Sequence, residues 1–209
     1  MNRLLSNRWT KAVVFAACLL PAVLLVWKYQ HNQLGINWIE KAQHITGDWT
    51  LRFLLLSLVI SPLRKLTNWT ALIKFRRLLG LYAFFYACLH VSLYGQYDKA
   101  WDWLAIREDF TTRRFFTAGL VAFALLVPLA LTSTAAAIRW LGGKKWQGLH
   151  RLVYISAVAA IAHYYWQGKS FVWTPVIYGA ILLALLGYRV LNRKSKPKPT
   201  RVVAAPTLQ

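Results

Sequence analysis

The chain has 209 residues, of which 57% are hydrophobic and 15% charged, against about 25% charged in an ordinary soluble domain, so lipid is the expected solvent. Its net charge of +20 comes from short Lys/Arg clusters between long apolar runs, which excludes a nucleic-acid-binding face and reads instead as a membrane topology signal. Only Cys18 and Cys88 occur, both in apolar runs, so neither a disulfide framework nor a Cys-ligated metal site is supported.

Six apolar runs follow in chain order, at 11–29, 49–65, 78–97, 115–135, 147–167 and 174–191. Each approaches the roughly 20 residues that a helix needs to cross a bilayer. Arg3, Arg8 and Lys11 precede the first run, which lacks a convincing cleavage site and reads as an uncleaved span. The second is the weakest, because Arg52 intrudes and the uninterrupted stretch Phe53–Leu63 is short. The fourth is the clearest, with no Lys, Arg, Asp or Glu between Arg114 and Arg139. Backbone polar groups in hydrocarbon must be satisfied within the segment, so the fold class is all-α, a polytopic bundle of six transmembrane helices. Residues 1–192 form that domain, and 193–209 form a basic tail, expected to be disordered and drawn to anionic lipid.

Tryptophans such as Trp9, Trp27, Trp146 and Trp166 fall at the ends of runs, as in an aromatic belt. Basic residues alternate between loops. The N-terminus, the stretch Arg64–Arg77, the stretch Arg139–Lys145 and the tail are rich in them. The intervening loops are poor or balanced by Asp98, Asp102, Glu108 and Asp109. Both termini are therefore expected on the cytoplasmic side of the membrane. The four acidic residues are candidates for a docking surface, or simply a solvated loop. No carboxylate lies near a midplane, which weighs against a proton-coupled transporter.

Three histidines carry the functional reading. An imidazole within a span is costly and is usually retained for a metal, a proton path or a hydrogen bond. His90 falls toward the outer end of the third run, and His163 toward the outer end of the fifth, so iron of a haem between them would gain two axial ligands. His150 falls at the inner end of the fifth run, thirteen residues before His163. At about 1.5 Å rise and 3.6 residues per turn, the two lie roughly 20 Å apart and roughly 140° around one helix. Either that helix is irregular or the two rings address different neighbours. Arg76 and Arg77 stand where a partner for His150 is wanted, suited to haem propionates more than to iron. His150 could instead serve quinone protonation. His31 and His44 are placed in the first outer loop.

Several stretches together are identifiable as a family pattern: Gln43-His44-Ile45-Thr46-Gly47, Ile60-Ser61-Pro62-Leu63, Arg76-Arg77-Leu78-Leu79-Gly80-Leu81 with Leu89-His90, Thr132-Ser133-Thr134, and Trp146-Gln147-Gly148-Leu149-His150-Arg151. They resemble the YedZ-type (MsrQ) haem-binding membrane subunits of the ferric-reductase-like transmembrane family, across nearly the whole chain outside the tail. The resemblance implies one or two b-type haems on histidines matching His90, His150 and His163, with Arg77 and Arg151 as further cofactor-binding candidates. It also implies an FMN association, without assignable residues. The implied role is an electron-transfer subunit serving MsrP, a periplasmic molybdopterin enzyme that reduces methionine sulfoxide in oxidised proteins. Electrons are expected from the quinone pool or a cytosolic flavin reductase, since the flavin and nucleotide domain of NADPH-oxidase-type members does not follow the last run. The competing readings are a self-contained ferric or quinone reductase and a non-redox transporter.

Overall fold

The computed structural model of the chain describes residues 7–168 and 173–194. The proposed tail from 195 onward, and Lys169 in the fifth loop, lie outside the described residues. Within them the fold is all-α, with no strand. In chain order the helices are α1 (Arg8–Gln30), α2 (Trp38–Thr67), α3 (Ile73–Leu93), α4 (Trp103–Thr112), α5 (Arg114–Leu131), α6 (Ala135–Leu141), α7 (Gly143–Leu149), α8 (Leu152–Gln167) and α9 (Trp173–Lys194). A π-type turn, Tyr94–Asp98, extends α3.

Four of these segments are long and apolar enough to cross a membrane: α1, α3 with its flanking turns, α5 and α9. The other two expected spans differ for separate reasons. α8 has 16 residues, about 24 Å of rise against a hydrocarbon core of about 30 Å. α2 has 30 residues but dilutes its apolar stretch with Glu40, Lys41, Asp48, Arg52, Arg64 and Lys65. Its N-terminal half takes in the Gln43–Gly47 motif, so His44 is helical rather than in the expected loop. Nothing between Trp38 and Pro62 forces the helix to stop, and Asn68, at φ 58°, ends it in the left-handed conformation.

Two tightly packed pairs, α2 with α3 and α5 with α8, make the centre. α1 lies against α2 and α3, and α9 against α8 and α2. Leu54, Leu58, Ala83, Tyr86 and Ala157 are almost wholly buried at the centre, while Phe15, Val23, Leu120, Ile155 and Leu183 are exposed, as lipid-facing apolar residues are.

Several polar atoms in this apolar bundle are satisfied individually. Pro21 interrupts α1, and the Tyr86 hydroxyl enters there, donating to the Cys18 carbonyl at 2.9 Å and accepting from Ala22 N at 2.9 Å. Pro62 has no N–H, which leaves the Leu58 carbonyl one turn earlier without its helical donor. Arg189 of α9 supplies that donor through Nη2 at 3.0 Å. Arg52, the residue that weakened the second run, donates to the Tyr178 hydroxyl at 3.0 Å, pairs with Asp48 at 3.6 Å and lies over the Trp49 ring.

Candidate haem site

α3 carries His90 and α8 carries His163. The two meet across the bundle with ring centres 6.0 Å apart and planes at 85°. A metal held axially between two imidazoles, at the metal–nitrogen distance of about 2 Å usual for histidine, sets the ring centres about 6 Å apart. Each ring is fixed from behind. His90 Nδ1 donates to the Gln43 carbonyl of α2 at 2.9 Å, with the Thr46 hydroxyl 3.5 Å away. His163 Nδ1 donates to the Phe115 carbonyl of α5 at 2.7 Å. A carbonyl accepts only, so each Nδ1 carries the proton and each Nε2 keeps a free lone pair, the tautomer that ligates iron.

Both rings border a cavity of about 250 Å³ between α2, α3, α5 and α8, walled by apolar residues such as Leu54, Ala87, Phe123 and Leu126 and flanked by Trp101 and Trp103. Among the described residues no three His, Cys, Asp or Glu side chains gather as a metal cluster. Iron held here therefore needs a porphyrin for its remaining ligands. Two opposed imidazoles in an apolar slot fit a six-coordinate haem.

His150 is not part of this pair. The expected fifth span breaks at His150–Arg151, between α7 and α8, so the predicted single helix carrying both His150 and His163 does not exist. The His150 ring stacks on Trp146, with centres 4.0 Å apart. Its Nε2 lies 3.1 Å from the Thr132 hydroxyl, whose own proton goes to the Pro128 carbonyl at 2.6 Å. Nε2 of His150 is thus a donor already in use, unlike the Nε2 atoms of the paired rings.

Arg77 and Arg151 are both exposed. The more enclosed cations at that end are Arg76, within electrostatic reach of Arg64, His150 and Arg189, and Arg189 itself. Arg189 bonds the Tyr154 hydroxyl and lies over its ring, and its buried Nε has no partner. Sequence reasoning passed over Arg189, although a lone cation within the last apolar run is the usual signal of a functional charge. His44 and His31 are exposed, away from the cavity in the case of His31, whose Nδ1 donates to the Trp27 carbonyl at 2.8 Å.

The acidic loop is corrected in one respect. Asp109 is buried, taking Lys99 Nζ at 2.9 Å, Arg113 Nε at 3.0 Å and the Tyr94 hydroxyl at 2.7 Å. It ties α4 to the end of α3 beside the cavity and does not present a solvated surface. Burial pushes its carboxyl up, but the bonds from Tyr94 and Lys99 and the charge of Arg113 outweigh this and hold it below the usual carboxylate range.

Comparison with known proteins places these features in context. The ferric reductase like transmembrane component matches residues 46–161, which include His90 and His150. Relatives described as the protein-methionine-sulfoxide reductase heme-binding subunit MsrQ are similar over most of the chain. The one from Azospira oryzae is 48% identical over 194 residues, 91% of this chain and 83% of its own. That from Herminiimonas arsenicoxydans is 48% identical over 86% of this chain and 84% of its own. That from Xanthomonas campestris pv. campestris is 43% identical over 94% and 92% respectively. No solved structure matches.

Proposed function

The chain belongs to the MsrQ branch of the ferric-reductase-like transmembrane family, and from that premise we propose that it carries electrons across the bacterial inner membrane to a periplasmic methionine sulfoxide reductase, MsrP. It is a multi-pass membrane protein and a redox subunit of a methionine sulfoxide reductase system. Our finer reading is six crossings with both termini cytoplasmic, α2 and α8 completing the set as shielded inner members of the bundle. The Lys/Arg-rich loops before α3 and around α6 and α7 support that orientation. The His90–His163 end then faces the periplasm.

The observation that carries the proposal is the pair of opposed imidazoles, 6.0 Å between centres, each with Nδ1 committed to a backbone carbonyl. His90 and His163 would hold a haem b between them, which would supply reversible one-electron iron chemistry in an apolar setting. The apolar walls exclude water. Trp101 and Trp103 stand between cavity and surface, where an acceptor would dock. At the opposite end Arg76 and Arg189, beside His150, form a cationic group suited to an anionic cofactor, a haem propionate or the phosphate of FMN, where electrons from quinol or a cytosolic flavin reductase would enter.

The test is the absorption and EPR spectrum of the purified chain in detergent. A Soret band with a low-spin ferric signal of the strongly anisotropic kind is expected, because the imidazole planes are nearly perpendicular. Absence of a Soret band after haem supplementation overturns the reading. His150→Ala should leave that low-spin signal unchanged, since its Nε2 is engaged with Thr132 and not with the pair. Loss of the signal in His150→Ala would reassign the ligands.

A further inference from the structure

The two helices that buttress the paired histidines share a construction that the family match does not mention. The carbonyl that receives His90 Nδ1 belongs to Gln43, four residues before Gly47. The carbonyl that receives His163 Nδ1 belongs to Phe115, four residues before Gly119. In an α-helix the carbonyl of residue i points at residue i+4, whose side chain tilts back over that same turn. A side chain at i+4 therefore covers the carbonyl's open flank. Glycine leaves it bare.

Both glycines are filled by the imidazoles themselves. A Cβ on Gly119 would lie 2.6 Å from His163 Nδ1 and 2.9 Å from its Cε1. A Cβ on Gly47 would lie 3.2 Å from His90 Cε1 and 3.3 Å from its Nδ1. At each site a nitrogen that makes the carbonyl bond is among the atoms a methyl group would displace. Nothing stands within 4 Å of a Cβ built on Gly80, on the same helix as His90.

We infer that Gly47 and Gly119 are positioning residues for the outer haem, each opening a helix carbonyl so that the neighbouring histidine is locked through Nδ1 with Nε2 aimed into the cavity. The inference rests on the haem reading above. The lock does more than orient. A hydrogen bond from Nδ1 makes the imidazole a more basic ligand, which favours ferric iron and lowers the reduction potential. The two locks, on α2 and α5, also hold the ring planes at their near-perpendicular angle.

The test compares Gly119→Ala, Gly47→Ala and Gly80→Ala in the full-length chain, purified in detergent and supplied with haem. Alanine favours helix more than glycine does, so a defect in the first two cannot come from a weakened helix. The crowded atoms are the far end of a side chain, so the ring can move while the backbone holds. Gly119→Ala is expected to keep wild-type helical circular dichroism. Its haem affinity should fall by about 10-fold or more, the usual consequence of losing a ligand's outer hydrogen bond. Where haem stays bound, the low-spin EPR signal should shift and the midpoint potential should rise. Gly47→Ala should move the same readouts in the same direction by less, because its contacts are looser. Gly80→Ala should match wild type. A wild-type signal that disappears in His163→Ala but is unchanged in both Gly119→Ala and Gly47→Ala overturns the positioning role and leaves the haem reading standing. A wild-type protein without any bis-imidazole signal overturns both.

Discussion

His163→Ala should abolish the low-spin haem signal of the purified protein, and His90→Ala should do the same. On the proposed assignment each variant removes one of the two imidazoles that would hold the iron. The Gln43 and Phe115 carbonyls and the Thr46 hydroxyl beside the rings are not competent iron ligands, and the other imidazole that borders the cavity, His44, is exposed and lies toward Glu40. The fold should survive. Each ring donates one hydrogen bond to a helical carbonyl, so its loss costs on the order of 1 kcal/mol and leaves no buried N–H without a partner. Wild-type helical circular dichroism with a vanished low-spin signal is therefore the expected pair of readings. Added imidazole should restore part of the signal by entering the space that the missing ring leaves. His31→Ala is the control. That ring is exposed and bonds only its own helix, so the spectrum should not change. An undiminished signal in both His90→Ala and His163→Ala would refute the assignment.

Asp109→Ala should release the outer loop. The carboxylate is buried and is bonded by Lys99, Arg113 and Tyr94, so its removal leaves a lysine ammonium that is itself mostly covered without its counter-charge. Breaking a buried pair costs about 3–5 kcal/mol. Arg113 is half exposed and contributes little of that, which brings the expected loss to about 2 kcal/mol. The loss is local, because Asp109 joins α4 to the end of α3 and does not reach the centre of the bundle. Amide hydrogen exchange in α4 should accelerate by about 10-fold or more, while α2, α3, α5 and α8 keep their protection. The same tie predicts a pH dependence. The folded carboxyl titrates below the unfolded one, so its contribution is complete above the ordinary carboxylate pKa and disappears as pH falls through the lower folded value. Protection of α4, taken relative to the intrinsic exchange rate at each pH, should thus fall on acidification below about pH 4 in the wild type and fall less in the alanine variant. Exchange rates in α4 that match wild type at neutral pH would show that Asp109 does not hold the loop.

Much of this protein is legible from its residues. Composition gives the solvent, and runs of about 20 apolar residues give α1, α3, α5 and α9 directly, because a bilayer imposes its thickness on any helix that crosses it. The depth expected for His90 follows from counting along α3, and that expected for His163 from counting along the fifth apolar run. α2 and α8 were harder to bound. One carries polar groups that also need distant partners, Arg52 the Tyr178 hydroxyl and the Leu58 carbonyl the Arg189 guanidinium. The other stops short because the chain turns at His150.

By itself the sequence determined that the chain is helical, lives in lipid and places two imidazoles at one level, since these follow from hydropathy, rise per residue and the cost of polar groups in hydrocarbon. Only the packing of the helices on one another decided that the two rings face each other, that Gln43 and Phe115 fix their tautomers, that His150 turns instead to Thr132, and that Asp109 is buried. Those outcomes depend on rotation about each helix axis and on contacts between residues as far as 48 positions apart, which no local pattern along the chain encodes.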